Sequence, residues 1–334
     1  MIRVGVIAAV GYAGRELLRL AVSHPEIKIT AAVELEAGKK LADAMPSFAK
    51  VLDIELETFD PDSLAKKCDV VFLALHGGKG IPIVAALRSA GVRVIDMGPD
   101  FRIKDSQLFQ KYYGVEHTAT ELLKEAVYGL VPYYRESIRE AQLVAVPGCY
   151  PISVILPLRP LNEFLEGVVI ADCISGVSGA GRALSEPLHY PEMNENVRAY
   201  KLGIHQHIPE IEQETGNRFM VQFTPHVGPY TRGILSTITA RPKGDVDVAK
   251  AYNRYGQEPF VRVYAEGKLP ELRFVRASNF CDIGWAMDRR TGNLIIVSAI
   301  DNLLGGTAGM AMQCFNVMFG FDERTALRFG GMVP

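Results

Sequence analysis

The chain has 334 residues, 48% of them hydrophobic and 22% charged, with a formal net charge of −2. That balance leaves no basic footprint for nucleic acid and no polybasic patch for a membrane surface. No apolar run approaches the ~18–20 residues of a membrane span. The length exceeds the ~250–300 residues at which single cores stop growing, so two domains are expected.

In chain order, residues 2–9 (IRVGVIAA) are an apolar run suited to a buried parallel strand rather than a cleaved leader. Gly11 and Gly14 follow, then an amphipathic helix ending near His24-Pro25. Further strands are expected at 27–34, 69–75, 92–97 and 143–146, with the turn His76-Gly77-Gly78-Lys79-Gly80 leading into a helix over 81–89. Strands alternating with helices predict an α/β, Rossmann-type doubly wound parallel sheet. The second half changes character. Strands are expected at 168–175, 219–227, 233–240, 260–265, 283–287 and 293–299, the last two joined by a hairpin at Asp288–Gly292. Helices are expected from Pro209, over 246–256 and over 306–318. This is an α+β pattern with a mixed or antiparallel sheet.

The segment Ala8-Ala9-Val10-Gly11-Tyr12-Ala13-Gly14 joins the first strand to the first helix. Glycines there let the backbone approach a pyrophosphate, which rests on the helix N-terminus, so Gly11, Tyr12, Ala13 and Gly14 are candidate dinucleotide contacts. The first glycine position of the usual motif is Ala8. Glu34 lies 20 residues past Gly14, at the end of strand two, where a carboxylate accepts from the adenosine ribose of NAD and repels the 2′-phosphate of NADP. Glu36 adds to that repulsion, and Lys39 and Lys40 are placed to offset it.

Five scattered cysteines (Cys68, Cys149, Cys173, Cys281 and Cys314) lack CxxC spacing, which argues against a zinc site or a disulfide framework and for a reducing, cytoplasmic setting. Cys149 is the exception among residues otherwise read as small buried hydrophobes. In Val146-Pro147-Gly148-Cys149-Tyr150-Pro151 it follows a buried strand and opens an apolar helix, where the dipole and free N–H groups stabilise a thiolate. Pro157 is expected to kink that helix. His205 and His207 precede a helix start and titrate in the range an acid/base group needs. Arg102 after a strand end and Arg182 after a glycine-rich run are candidates for binding an anion.

GYAGRELLRL (11–20), PDFR (99–102), AVPGCYP (145–151), SGVSGAGR (175–182), HQHIPEIEQE (205–214), FTPHVGPYTRGIL (223–235) and SAIDNLLGG (298–306) occur in an order spanning nearly the whole chain. In them the sequence resembles the N-acetyl-gamma-glutamyl-phosphate reductase family, relatives of the aspartate-semialdehyde dehydrogenases. The resemblance implies a Rossmann domain over 1–148, to which a C-terminal segment 303–334 returns, and a catalytic, dimerising domain over 149–302. It implies reduction of a small acyl phosphate by NADP, with NAD the alternative that Glu34 keeps open, in arginine biosynthesis, by a homodimer or homotetramer. It makes Cys149 the nucleophile and His207 the acid/base, with His205, Arg102 and Arg182 at the substrate. Gly179 and Asn302 then face the nicotinamide.

The chain departs from the family at several of these places. GASGY has become Ala8–Tyr12, Ser and Arg near the adenosine end have become Glu34-Leu35-Glu36, HRH has become His205-Gln206-His207, and Lys-Gly has become Gly305-Gly306. The cations lost at Gln206 and Gly305 open a second reading, reduction of a different acyl phosphate such as an aminoadipate-type or small acid. A third reading is a nucleotide-binding redox sensor without catalysis.

Overall fold

A computed structural model describes residues 1–333, which form two compact units. The first comprises Met1–Pro147 with Thr307–Arg328, and the second Gly148–Gly306 with the residues from Phe329 onward.

In the first unit, strands β1 (Ile2–Ile7), β2 (Ile27–Val33), β3 (Leu56–Glu57), β4 (Val70–Leu73), β5 (Arg93–Asp96), β6 (Val127–Tyr128) and β7 (Leu143–Ala145) form one sheet. Its order is β3-β2-β1-β4-β5-β7-β6, and every pairing is parallel. The expected doubly wound sheet is therefore present. Strands β1 and β4 are near-continuous apolar runs because helices cover both faces. On one face Val33, Leu73, Val84, Leu87 and Phe101 share a buried cluster. Toward the other, Phe72 meets Phe315 at 5.9 Å between ring centroids. Phe315 belongs to the helix Gly309–Met318, whose ten residues are all buried. That helix is anchored by Asn316, whose Oδ1 lies 2.9 Å from His24 Nε2.

In the second unit β8 (Leu165–Gly176), β9 (Arg198–Ala199), β10 (Met220–Gly228), β11 (Ile234–Pro242), β12 (Val261–Val263), β13 (Cys281–Asp288) and β14 (Asn293–Ile300) form a mixed sheet. Its order is β12-β13-β14-β11-β8-β10-β9, with β8–β10 and β12–β13 parallel and the rest antiparallel. Burial alternates along β11 and most of β10, so one face is buried and the other carries exposed Met220, Gln222 and Thr237.

The helix Cys149–Leu158 lies on the buried face, with Ser153 Oγ 2.7 Å from Ser236 Oγ of β11. Pro157 falls two turns after Cys149, in the last turn, and the α-helix gives way to a 3-10 turn at Arg159. Proline removes the N–H that would bond the carbonyl four residues back, Ser153. That carbonyl instead accepts from the Ser298 hydroxyl of β14. The hydroxyls of Tyr255 and Tyr252 take up the carbonyls of Leu156 and Pro157 at 2.6 and 2.9 Å. The one carbonyl that the proline orphans, and two of those left open by the end of the helix, are thus each answered by a hydroxyl.

The turn after β1 is tight. Gly11 N–H donates to Ala8 O, and a Cβ on Gly14 would lie 2.4 Å from Ala8 O, so only glycine fits there. Ala8 itself sits at φ +60°, the left-handed region that costs an L-residue ~1–2 kcal/mol. Relieving it should be measurable. Ala8→Gly is expected to raise unfolding free energy by about 1 kcal/mol in urea titrations, and an unchanged or lower midpoint would contradict this strain.

Candidate active site

Cys149 is the first residue of its helix, and Gly148 at the N-cap brings no side-chain cap. The first turn holds no acidic residue of its own, and the positive helix end stands beside the sulfur. All five cysteines are thiols without disulfides among the described residues, and Cys149 alone is not fully buried. Burial pushes the thiols of Cys68, Cys173, Cys281 and Cys314 up, Cys173 to about 12. Those four stay protonated and inert near neutral pH.

The glycine before the sulfur is held from another helix. Gly148 N–H donates to Glu210 Oε1 at 2.8 Å, and Glu210 is wholly buried in the helix His207–Glu214. Sequence reasoning overlooked Glu210. The available signal was a glutamate in the first turn of a helix that opens with His207 and Pro209. Gly306 completes the packing, because a Cβ there would lie 2.8 Å from Cys149 Cβ.

Tyr150 carries the histidine pair. Its ring centroid lies 5.8 Å from that of His205 and 5.9 Å from that of His207, and the two histidine rings are 4.7 Å apart. Tyr200 OH donates to Tyr150 OH at 3.3 Å, and Tyr150 OH donates to His226 O at 2.8 Å. Burial lifts the Tyr200 hydroxyl to about 12, so this relay stays protonated and acts as scaffold. The structure separates the two histidines. His205 is buried, its Nδ1 accepts from His207 N–H at 3.1 Å, and burial with the charge of Lys201 nearby lowers it to about 4. His207 is partly exposed at the start of its helix.

Gln206, where the resemblance has arginine, accepts from Lys201 Nζ at 3.0 Å. An arginine has no acceptor for that ammonium. The lost guanidinium is thus accompanied by a lysine held beside the histidines.

The remaining residues singled out in the sequence divide by what they touch. Arg102 is buried and gives Nε to Val146 O at 2.7 Å and Nη2 to Met97 O at 2.9 Å, which fixes the ends of β5 and β7. Arg182 is exposed just past the turn Val177–Ala180, with no ion pair among the described residues. Gly179 is exposed in that turn. Asn302 Oδ1 accepts from Gly233 N–H at 2.8 Å, and its Nδ2 donates to Ser178 Oγ at 2.9 Å. It is almost wholly buried and holds the glycine-rich run in place.

In the first unit the helix Tyr12–Ala21 starts at Gly11 with no side-chain cap and no acid in its first turn, while Arg15 stands there with Nε on Val10 O at 2.9 Å. An uncapped, cation-flanked helix start behind a glycine turn fits the pyrophosphate of a dinucleotide. Glu34 Oε1 accepts from Val10 N–H at 2.7 Å in the same turn. Among the described residues no cluster of His, Cys, Asp or Glu is arranged to hold a metal, and no helix is long and apolar enough to cross a membrane.

Comparison with known proteins adds to this geometry. Residues 3–141 match the semialdehyde dehydrogenase NAD-binding domain, and residues 149–302 match the semialdehyde dehydrogenase dimerisation domain. The chain is 46% identical to an N-acetyl-gamma-glutamyl-phosphate reductase of Desulforamulus reducens, covering 100% of both. It is 44% identical to one of Pelotomaculum thermopropionicum, covering 100% of this chain and 99% of that one. Among solved structures, aspartate semialdehyde dehydrogenase II complexed with ASA from Vibrio cholerae aligns with a TM-score of 0.73 at 15% identity, covering 96% and 98% of the two chains. An aspartate semialdehyde dehydrogenase with NADP from Candida albicans aligns at 0.71 and 17%, also covering 96% and 98%.

The contrast between the histidines has a pH signature. As pH falls from 6.5 toward 4, the unfolded chain takes up a proton at His205 that the folded chain refuses, so this residue withdraws stability in that window. With carbon-13-labelled histidine, one of the seven imidazoles should titrate near pH 4, and His205→Gln should delete that signal. Seven ordinary midpoints between about 5.5 and 7.5 would contradict the burial argument.

Proposed function

Because the chain belongs to the semialdehyde dehydrogenase family and, within it, to the N-acetyl-gamma-glutamyl-phosphate reductases, we propose that Cys149 and His207 carry the acyl-phosphate reduction those relatives are named for. The substrate is N-acetyl-gamma-glutamyl phosphate, and the products are the semialdehyde and inorganic phosphate, a step of arginine biosynthesis. The observation that carries this reading is Cys149 itself. It is the one partly exposed thiol, at the uncapped start of a helix, with a histidine pair on the ring of the next residue.

His207 takes the thiol proton, and the sulfur attacks the acyl carbon. A carbon–sulfur bond forms, the carbon–oxygen bond to phosphorus breaks, and phosphate leaves with that electron pair, giving a thioester. A nicotinamide dinucleotide, when bound, supplies hydride to the thioester carbon. His207 protonates the oxygen of the resulting thiohemiacetal and takes that proton back as the carbon–sulfur bond breaks, releasing the aldehyde and restoring the thiolate. His205, held neutral by burial, sets the helix start on which His207 stands. Glu210 and Arg102 position the backbone leading into Cys149 from Gly148 and Val146. Arg182, exposed and without an ion pair among the described residues, is the cation assigned to the substrate anion. Gly11–Gly14 with Arg15 are assigned to the pyrophosphate of NADP or NAD, and Gly179, held in the run that Asn302 orders, to the nicotinamide end.

The exposed face of the second sheet supports a homodimer. Val168 and Met220 on neighbouring parallel strands are 45% and 67% exposed. A cytoplasmic site of action agrees with five reduced cysteines, four of them held inert by burial.

Two experiments follow. Cys149→Ser is expected to lower kcat by at least about 10³-fold, and wild-type protein given acyl phosphate without dinucleotide should show one acyl adduct on Cys149 by mass spectrometry. Turnover retained in the serine variant would end the thioester mechanism. Val168→Asp should shift a dimer toward monomer in light scattering, whereas an unchanged mass would remove this sheet face from the interface.

A further inference from the structure

We propose that Glu34 makes this chain select the dinucleotide lacking a 2′-phosphate, NADH, over NADPH. The inference rests on the dinucleotide role given above to the turn after β1. Glu34 follows the last residue of β2, the strand paired with β1 along its whole length. Its backbone N–H is tied to Glu57 O at 3.0 Å beside β3, and its Oε1 accepts from Val10 N–H at 2.7 Å. The residue is therefore held by its backbone at β3 and by one carboxylate oxygen at the turn that opens the helix Tyr12–Ala21. Its Oε2 takes no hydrogen bond from the described residues and is left to accept from a ligand. In a strand–turn–helix unit this is the place of the adenosine ribose. A diol donates hydrogen bonds to such a carboxylate, whereas a phosphate dianion meets a like charge.

The cations that the sequence places nearby do not cancel this charge. Lys39 Nζ is paired with Glu36 at 2.7 Å, Lys40 Nζ with Asp53 at 2.8 Å, and Lys67 with Glu57. Each lysine along this edge already faces its own acid. Arg15 is held on the opposite side of the same residue, with Nε on Val10 O and the guanidinium 6.0 Å from the Tyr12 ring centroid. Its charge stands at the helix start, where a pyrophosphate binds in such units. Glu34 and Arg15 thus grip the N–H and the C=O of Val10, and divide the turn into a ribose side that is anionic and a phosphate side that is cationic.

The test is calorimetric titration of the full-length protein with NADH and with NADPH, without acyl phosphate, for wild type and Glu34→Gln. The glutamine keeps an acceptor for Val10 N–H and removes the charge. Wild type should bind NADH at least about tenfold more tightly than NADPH. Glu34→Gln, with an unchanged melting temperature, should tighten NADPH by about tenfold and change NADH by less than about threefold. Equal or tighter NADPH binding by wild type overturns the proposal, as does a preference for NADH that survives in Glu34→Gln. If neither dinucleotide binds at millimolar concentration, the hydride-transfer reading fails first, and this inference falls with it.

Discussion

The hydrogen bond from Gly148 N–H to the Glu210 carboxylate is the contact on which the site's geometry turns. A carboxylate without solvent exposure is costly unless donors answer it. Glu210 Oε1 is answered by the backbone N–H immediately ahead of the sulfur. One interaction thereby joins the helix that carries Cys149 to the helix that begins with His207. Cys149 and His207, the pair proposed to react, belong to segments some sixty residues apart in sequence, and their relative placement depends on that bridge, on Gly306 against Cys149 and on the Tyr150 ring. These are second contacts rather than reacting groups, yet they decide whether the reacting groups meet.

Much of this was legible in the sequence. An apolar run marked β1, as burial on both faces of a sheet leaves no polar period. The two-residue strands β3, β6 and β9 were not legible, since a run that short has no period and pairs only because a neighbouring edge is already in place. Local pattern placed Cys149 at a helix start and Pro157 close to that helix's end. The kink was expected because proline frees a carbonyl, and nothing local reveals that a serine on β14, 145 residues from Ser153, donates to it. Glu210 was missed for the same reason, because an acid in a first helical turn normally reads as a favourable surface charge. Arg102 and Asn302 read as ligand-binding residues in sequence. In the structure, Arg102 uses two of its N–H groups, and Asn302 both ends of its amide, on the protein's own backbone and side chains.

The departures from the family pattern cluster around charge. Glu34 brings an anion to the first turn of the dinucleotide unit, and Gln206 withdraws a cation while its amide oxygen holds Lys201. Both changes leave the hydrogen bonds around them satisfied, so neither disturbs the fold. Electrostatics at these two places can therefore vary without repacking the core.

The paired glycines 305 and 306 differ in what they permit. A side chain at 305 would meet the carbonyl of Asn279 at 3.3 Å, a crowding that a small adjustment absorbs. One at 306 would press on the carbon that bears the sulfur. The first position thus accepts a side chain more readily than the second. A library randomised across both codons would recover diversity at one and a single letter at the other.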